Sequence, residues 1–191
     1  MPTQAAIGQE IITVASHFLG LYETRANAQW DNPNTLGVDP EGLELQALLS
    51  QVGWQPGWAY CAAFCEAVWR TAYLNLKAPA PLLERIARTL TPSVIRSYAN
   101  AGGDVGNTPA PGAIFFMELG HTGKGHAGIV VRASGAGALA RMATIEGNTS
   151  PEPDDPNADR EGDGICRRLR AVNFKPKSGL WLRGFLPPYI F

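Results

Sequence analysis

Cys61, His126, Glu146 and Asn148 are the residues of this 191-residue chain whose types and spacing suit acyl transfer. Cys61 follows Gly53-Trp54-Gln55-Pro56-Gly57, where two glycines and a proline stop a helix. It opens a run of strong helix formers with apolar residues at Cys61, Phe64, Cys65, Val68 and Trp69. That spacing predicts a helix over about 60–74 with one stripe turned to a core. A cysteine in the first turn lies among unpaired N–H groups at the positive end of the helix dipole, which favours the thiolate. Cys65 lies one turn deeper on the same stripe without that advantage, and reads as a small core hydrophobe.

A thiolate nucleophile needs a base beside it, and the base needs a group to orient it. His126 is the candidate base: it opens a predicted strand between Gly125 and the small pair Ala127-Gly128, which leaves room around the ring. Glu146 and Asn148 stand two apart at the end of the next strand, so period-two alternation places both on one face. From there a carboxylate or amide would hold the imidazole Nδ1–H and fix its tautomer. Glu146 is the first choice for that role and Asn148 the alternate. His121 is a rival base, but its Gly/Thr/Lys surroundings predict an exposed loop. His17 falls with Glu10 and Thr13 on the polar face of the first helix. Trp58 and Tyr60, flanking the cysteine, are candidates for substrate contact.

The elements that must position these residues follow in order. Helices are predicted over about 4–22, 41–52, 60–74, 82–90 and 93–99. Residues 23–39, rich in Asn, Asp and Pro, read as a loop. Strands are predicted over about 113–117, 126–131, 139–147, 165–172 and 180–186, the fourth of them studded with arginines. Residues 150–164 are acidic and proline-bearing with little that is apolar, the composition of a mobile surface loop. Helices first and an antiparallel meander after them make an α+β domain, and the length suits one domain spanning 1–191.

A hydrophobic content of 45% with 17% charged residues suits a globular protein, and a net charge of −1 argues against a nucleic-acid or anionic-membrane surface. Three cysteines in no metal-knuckle spacing are expected to be free thiols. Glu118, His121 and His126 fit no established zinc spacing, so no metal or other cofactor is expected. The start of the chain has no basic region or apolar run, so neither a signal peptide nor a membrane span is expected.

Four segments, in order, resemble the CHAP family, the cysteine- and histidine-dependent amidohydrolases/peptidases of the NlpC/P60 branch of papain-like enzymes. They are Leu19-Gly20-Leu21-Tyr22-Glu23 with Asn27; Tyr60-Cys61-Ala62-Ala63-Phe64; Pro111-Gly112-Ala113-Ile114-Phe115-Phe116 with Gly125-His126-Ala127-Gly128-Ile129-Val130-Val131; and Thr144-Ile145-Glu146-Gly147-Asn148-Thr149 with Gly184-Phe185. The resemblance implies a papain-like fold, with Cys61 as nucleophile, His126 as base and Glu146 or Asn148 as the orienting group. Two departures stand out. Ala113 occupies a place where many members have Asp, and residues 53–60 contain no acidic residue. The Asp-rich calcium loop of some phage members is therefore not expected.

The activity so implied is hydrolysis of amide bonds in peptidoglycan or its stem peptides through a thioester on Cys61. The scissile bond is left open among the muramoyl–L-alanine amide, the bond from D-glutamate to the third residue, and a cross-bridge. A binding or structural module on the same fold, or a papain-like acyltransferase or peptidase of other substrates, is the alternative. Synthesis in the cytoplasm, with action on the wall after phage lysis or specialised secretion, fits the missing signal peptide. A holin or an immunity protein would then be the expected lysis or secretion partner.

Overall fold

The computed structural model describes residues 1–150, 162–176 and 178–191. The architecture is α+β, and everything in it is arranged about one helix. Among the described residues the helices are α1 (Gln4–His17), α2 (Pro40–Gln51), α3 (Cys61–Asn75), α4 (Ala80–Thr89) and α5 (Val94–Ala101). The strands are β1 (Tyr22–Arg25), β2 (Gln29–Asp31), β3 (Ile114–Leu119), β4 (Gly125–Ser134), β5 (Arg141–Thr149), β6 (Gly164–Ala171) and β7 (Leu180–Leu186). They form one antiparallel sheet in the order β2-β1-β6-β5-β4-β3-β7. Strands β3 to β6 are the expected meander, but β7 returns to lie beside β3 instead of following β6.

Two differences from the sequence reading concern the region before α2. Helix α1 stops at His17, short of residue 22, because Gly20 takes a left-handed φ of +88° that a continuing helix does not allow. Residues 22–31, expected as the last residue of the first helix and then loop, form the β1–β2 hairpin, turned at Asn27 with φ +45°. Its strands are only four and three residues long and mostly polar, so they carry no readable alternation. The acidic stretch expected as a surface loop lies, for residues 151–161, outside the described residues.

Helix α3 is buried nearly all round: each residue from Cys61 to Trp69 is covered. A single apolar stripe understates it. The run of Ala62, Ala63, Ala67 and Ala72 gives small faces that let α1, α4 and the sheet all approach. Trp69 donates its Nε1–H to the Gly112 carbonyl at 3.0 Å, tying the middle of α3 to the turn before β3. Gly112 has φ +78°, and a Cβ there would lie 2.6 Å from the Gly8 Cα of α1, so only glycine lets the turn and α1 meet. One core lies between the helices and the sheet face carrying Ile114, Phe116, Ile129 and Ile145. A smaller one covers the opposite face at Phe115, Met117, Val130, Met142 and Leu182. No helix among the described residues is long and apolar enough to cross a membrane.

Candidate active site

The β4–β5 ladder begins at Ile129 opposite Ile145, so His126–Gly128 and Glu146–Asn148 run on beyond it. The first turn of α3 meets the sheet there, with the Ala127 N–H donating to the Cys61 sulfur. Cys61 is buried and hydrogen-bonded to His126. His126 Nε2 in turn lies 2.7 Å from Glu146 Oε2. With Nε2 taken by the carboxylate, Nδ1 is the ring atom left for sulfur. The sequence predicts the orienting group on Nδ1; the structure puts the Glu146 carboxylate on Nε2.

Gly128 explains how a strand neighbour reaches that place. A Cβ on it would lie 2.7 Å from Glu146 Cγ and 2.7 Å from Phe115 Cε1. The space left by this glycine is the space Glu146 fills. Across the sheet, Glu146 Oε1 accepts from Arg170 Nε at 2.9 Å, and Arg170 also donates to Oε2. Thr144 Oγ1 donates to the same Oε1. Neither Arg170 nor Thr144 is singled out by the sequence reading. The arginines of β6 are visible there, but alternation alone does not tell which of them reaches Glu146 across the sheet.

Asn148 does something different. Its Oδ1 accepts the Tyr60 N–H at 3.2 Å, and Tyr60 caps α3. Two observations account for its separation from Glu146: the β5–β6 register shifts between Glu146 and Thr149, and Asn148 has a left-handed φ of +56°. The alternation that was to put both side chains on one face ends at this irregularity. Asn is among the few side chains that tolerate such a φ. Asn148 therefore braces the end of β5 against the start of the cysteine helix.

Tyr60 is fully buried, its ring packed edge-on against Trp30 at 5.0 Å between centroids. It sets the start of α3 and presents no ring surface to a substrate, which corrects the expectation of contact there. Trp58 remains 49% exposed, and its carbonyl accepts from Trp54 Nε1 at 2.8 Å. His121 is exposed in the β3–β4 turn. His17 pairs with Glu44 on the surface at 2.9 Å. No group of three or more His, Cys, Asp or Glu among the described residues is placed to hold a metal ion.

The electrostatics follow from these contacts. Burial works against a Cys61 thiolate, but the hydrogen bond and charge of His126, with the Ala127 and Ala62 N–H groups, outweigh it and hold the thiol below its ordinary value. Burial likewise works against a charged His126, yet its bonds to Cys61 and Glu146 raise it to about 9. Burial alone would raise Glu146; Arg170 first and His126 second hold it well below the usual carboxylate range. Cys65 is pushed up by burial and by the neighbouring Cys61. The thiols of Cys61, Cys65 and Cys166 are free.

A cysteine at a helix N-terminus, bonded to a strand histidine that a carboxylate holds from behind, is the arrangement of thiol-dependent acyl transfer on a papain-like α+β scaffold. A family model described as the CHAP domain matches residues 51–148, just over half of the chain, and the chain belongs to that family of cysteine- and histidine-dependent amidohydrolases and peptidases. The match runs from the end of α2 into the end of β5 and takes in Cys61, His126, Glu146 and Asn148. Comparisons with curated proteins and with solved structures gave no match.

Proposed function

We propose that the protein hydrolyses amide bonds of bacterial peptidoglycan or its stem peptides, with Cys61 as nucleophile, His126 as general base and acid, and Glu146 as the group that orients His126. The observation that carries this reading is the buried junction of α3 with β4 and β5, where the Cys61 thiol and the His126 ring act on each other's charge and His126 Nε2 lies 2.7 Å from Glu146 Oε2. The Cys61 thiolate adds to the amide carbonyl carbon. Collapse of the tetrahedral intermediate breaks the C–N bond, and the leaving amine takes the imidazolium proton. A water then gives its proton to His126, attacks the thioester, and returns the sulfur as thiolate. The Cys61 backbone N–H, in the first turn of a helix, is the donor this scheme offers to the oxyanion.

Incubation of purified sacculi with the protein tests the reading. Soluble fragments released by the wild type and not by Cys61→Ala support it. Sedimentation with the wall and no release marks a binding module instead. Mass spectrometry of the fragments identifies the bond. Whole stem peptides freed from glycan establish an amidase, whereas dipeptides left on muramic acid establish an endopeptidase. Action on the wall after phage lysis or specialised secretion, with a holin or immunity protein as partner, is the setting we propose for it.

A further inference from the structure

The line of polar groups does not end at Glu146. Beyond the carboxylate lies Arg170 of β6, whose guanidinium grips it with two nitrogens, one on each oxygen. Glu146 is 0% exposed and the Arg170 side chain 19%, so the pair is shielded from solvent on the carboxylate side and only partly open on the other. The other groups facing Glu146 can be named element by element. Helix α3 brings Cys65, β4 brings His126, and β5 brings the Thr144 hydroxyl. From β6 come Cys166, directly opposite in the ladder, and beside it Arg168, which donates to the Ser150 carbonyl.

In the reactive form of the site the charges along the line alternate: thiolate, imidazolium, carboxylate, guanidinium. With Arg170 in place the four sum to zero. Without it, two buried anions would share one cation, and low-dielectric surroundings penalise that net charge. The site would relieve it by taking up a proton. A thiol holds its proton far more tightly than a carboxyl, with ordinary pKa values of about 8.5 against about 4.3. The proton would therefore settle on the Cys61 sulfur and extinguish the nucleophile, while Glu146 stayed paired with His126.

We propose that Arg170 is a positioning residue that acts through Glu146: it neutralises and aims the carboxylate, and by closing the alternating line of charges it keeps Cys61 as thiolate. The proposal rests on the reading of Cys61 and His126 as the reacting pair. It gives the arginines of β6 a role beyond that of a charged strand, and it places the fourth group of the site outside the 51–148 segment of the family match.

Alkylation of Cys61 by iodoacetamide, followed from pH 4 to 10 by mass spectrometry, reads the thiolate without any substrate. The wild type should alkylate at Cys61 with an acid limb below that of an ordinary thiol. Arg170→Met should move that limb up by at least about one pH unit, so that the rate at a pH on the wild-type acid limb falls about tenfold. Arg170→Lys keeps the charge and should recover most of the rate. Where Arg170→Met does not fold, Arg170→Gln keeps a stem and a donor without the charge and should show the same shift. Profiles of Arg170→Met or Arg170→Gln that superimpose on the wild type, with only a lower Tm, would overturn the proposal and leave the Cys61–His126 reading standing. An ordinary thiol profile in the wild type itself would overturn that reading first.

Discussion

His126 Nε2 and Glu146 Oε2 lie 2.7 Å apart although their strands have already parted at Ile129 and Ile145. The contact exists because Gly128 leaves the intervening space open and because Arg170 and Thr144 hold the carboxylate from the other side. Asn148, two residues on, is turned to the Tyr60 N–H. The two residues therefore predict different losses. Glu146→Gln removes the charge behind the imidazole and should lower kcat by about a hundredfold or more, with KM little changed. Asn148→Ala removes a brace at a left-handed position and should cost about 1–3 kcal/mol of stability, with a smaller loss of kcat. Steady-state kinetics beside thermal unfolding separates them. Equal losses of kcat would mean that Asn148 also serves the chemistry directly.

Much of this was legible in the chain. The Gly/Pro stop before Cys61, the Gly-flanked His126 and the position of Glu146 at a strand end are local signals, and local signals survive in one dimension. The relation between Glu146 and Asn148 was not legible. It turns on a register irregularity against β6, which no alternation within β5 reveals. Arg170 escaped for a similar reason: it is 24 residues from Glu146 and reaches it across the sheet. The β1–β2 hairpin was hidden because its strands are only four and three residues long and bury Trp30 alone, too little for a readable alternation.

The paired charges of Cys61 and His126 predict a bounded pH range for activity. Thiolate forms below the ordinary thiol value, while the imidazolium that protonates the leaving amine is lost as pH rises through about 9. The profile of kcat/KM should thus be bell-shaped, with its alkaline limb near 9 and both limbs belonging to the coupled pair. A single rise with a midpoint at about 8.5, the signature of an isolated thiol, would contradict the ion pair.

Glu66 offers a test on stability. It sits on α3 at 3% exposure, with Arg70 3.8 Å from Oε1 and no hydrogen-bond partner for Oε2 among the described residues. Burial, only partly opposed by Arg70, raises its carboxyl to about 8. The folded state then keeps a proton that the unfolded chain releases near pH 4.3. The contribution is therefore fully present below that value and is lost as pH rises through about 8. Glu66→Gln carries no such penalty and should be more stable than wild type by about 1–3 kcal/mol at pH 8.5, with the two converging near pH 4.5. Denaturant melts at both pH values check this; a difference that does not grow with pH would show that Glu66 stays ionised in the fold.

The last prediction separates the cysteines. Cys61 occupies the first turn of α3 with His126 and two backbone N–H groups on its sulfur. Cys65 is one turn deeper, 1% exposed, and raised by burial. Cys166 is raised as well, its thiol near the Thr149 carbonyl and Tyr22 hydroxyl. Brief iodoacetamide treatment near pH 6 should therefore label Cys61 first. Cys61→Ser should abolish measurable hydrolysis, since loss of the nucleophile in comparable triads costs roughly a millionfold. Cys65→Ser places a hydroxyl in an apolar stripe and should lower stability by about 1–3 kcal/mol with turnover largely kept. The contrast is sharp because both residues lie on one helix within one turn and differ in what meets the sulfur. Preferential labelling of Cys65, or full activity in Cys61→Ser, would move the nucleophile elsewhere and undo the line from Cys61 to Arg170 at its first member.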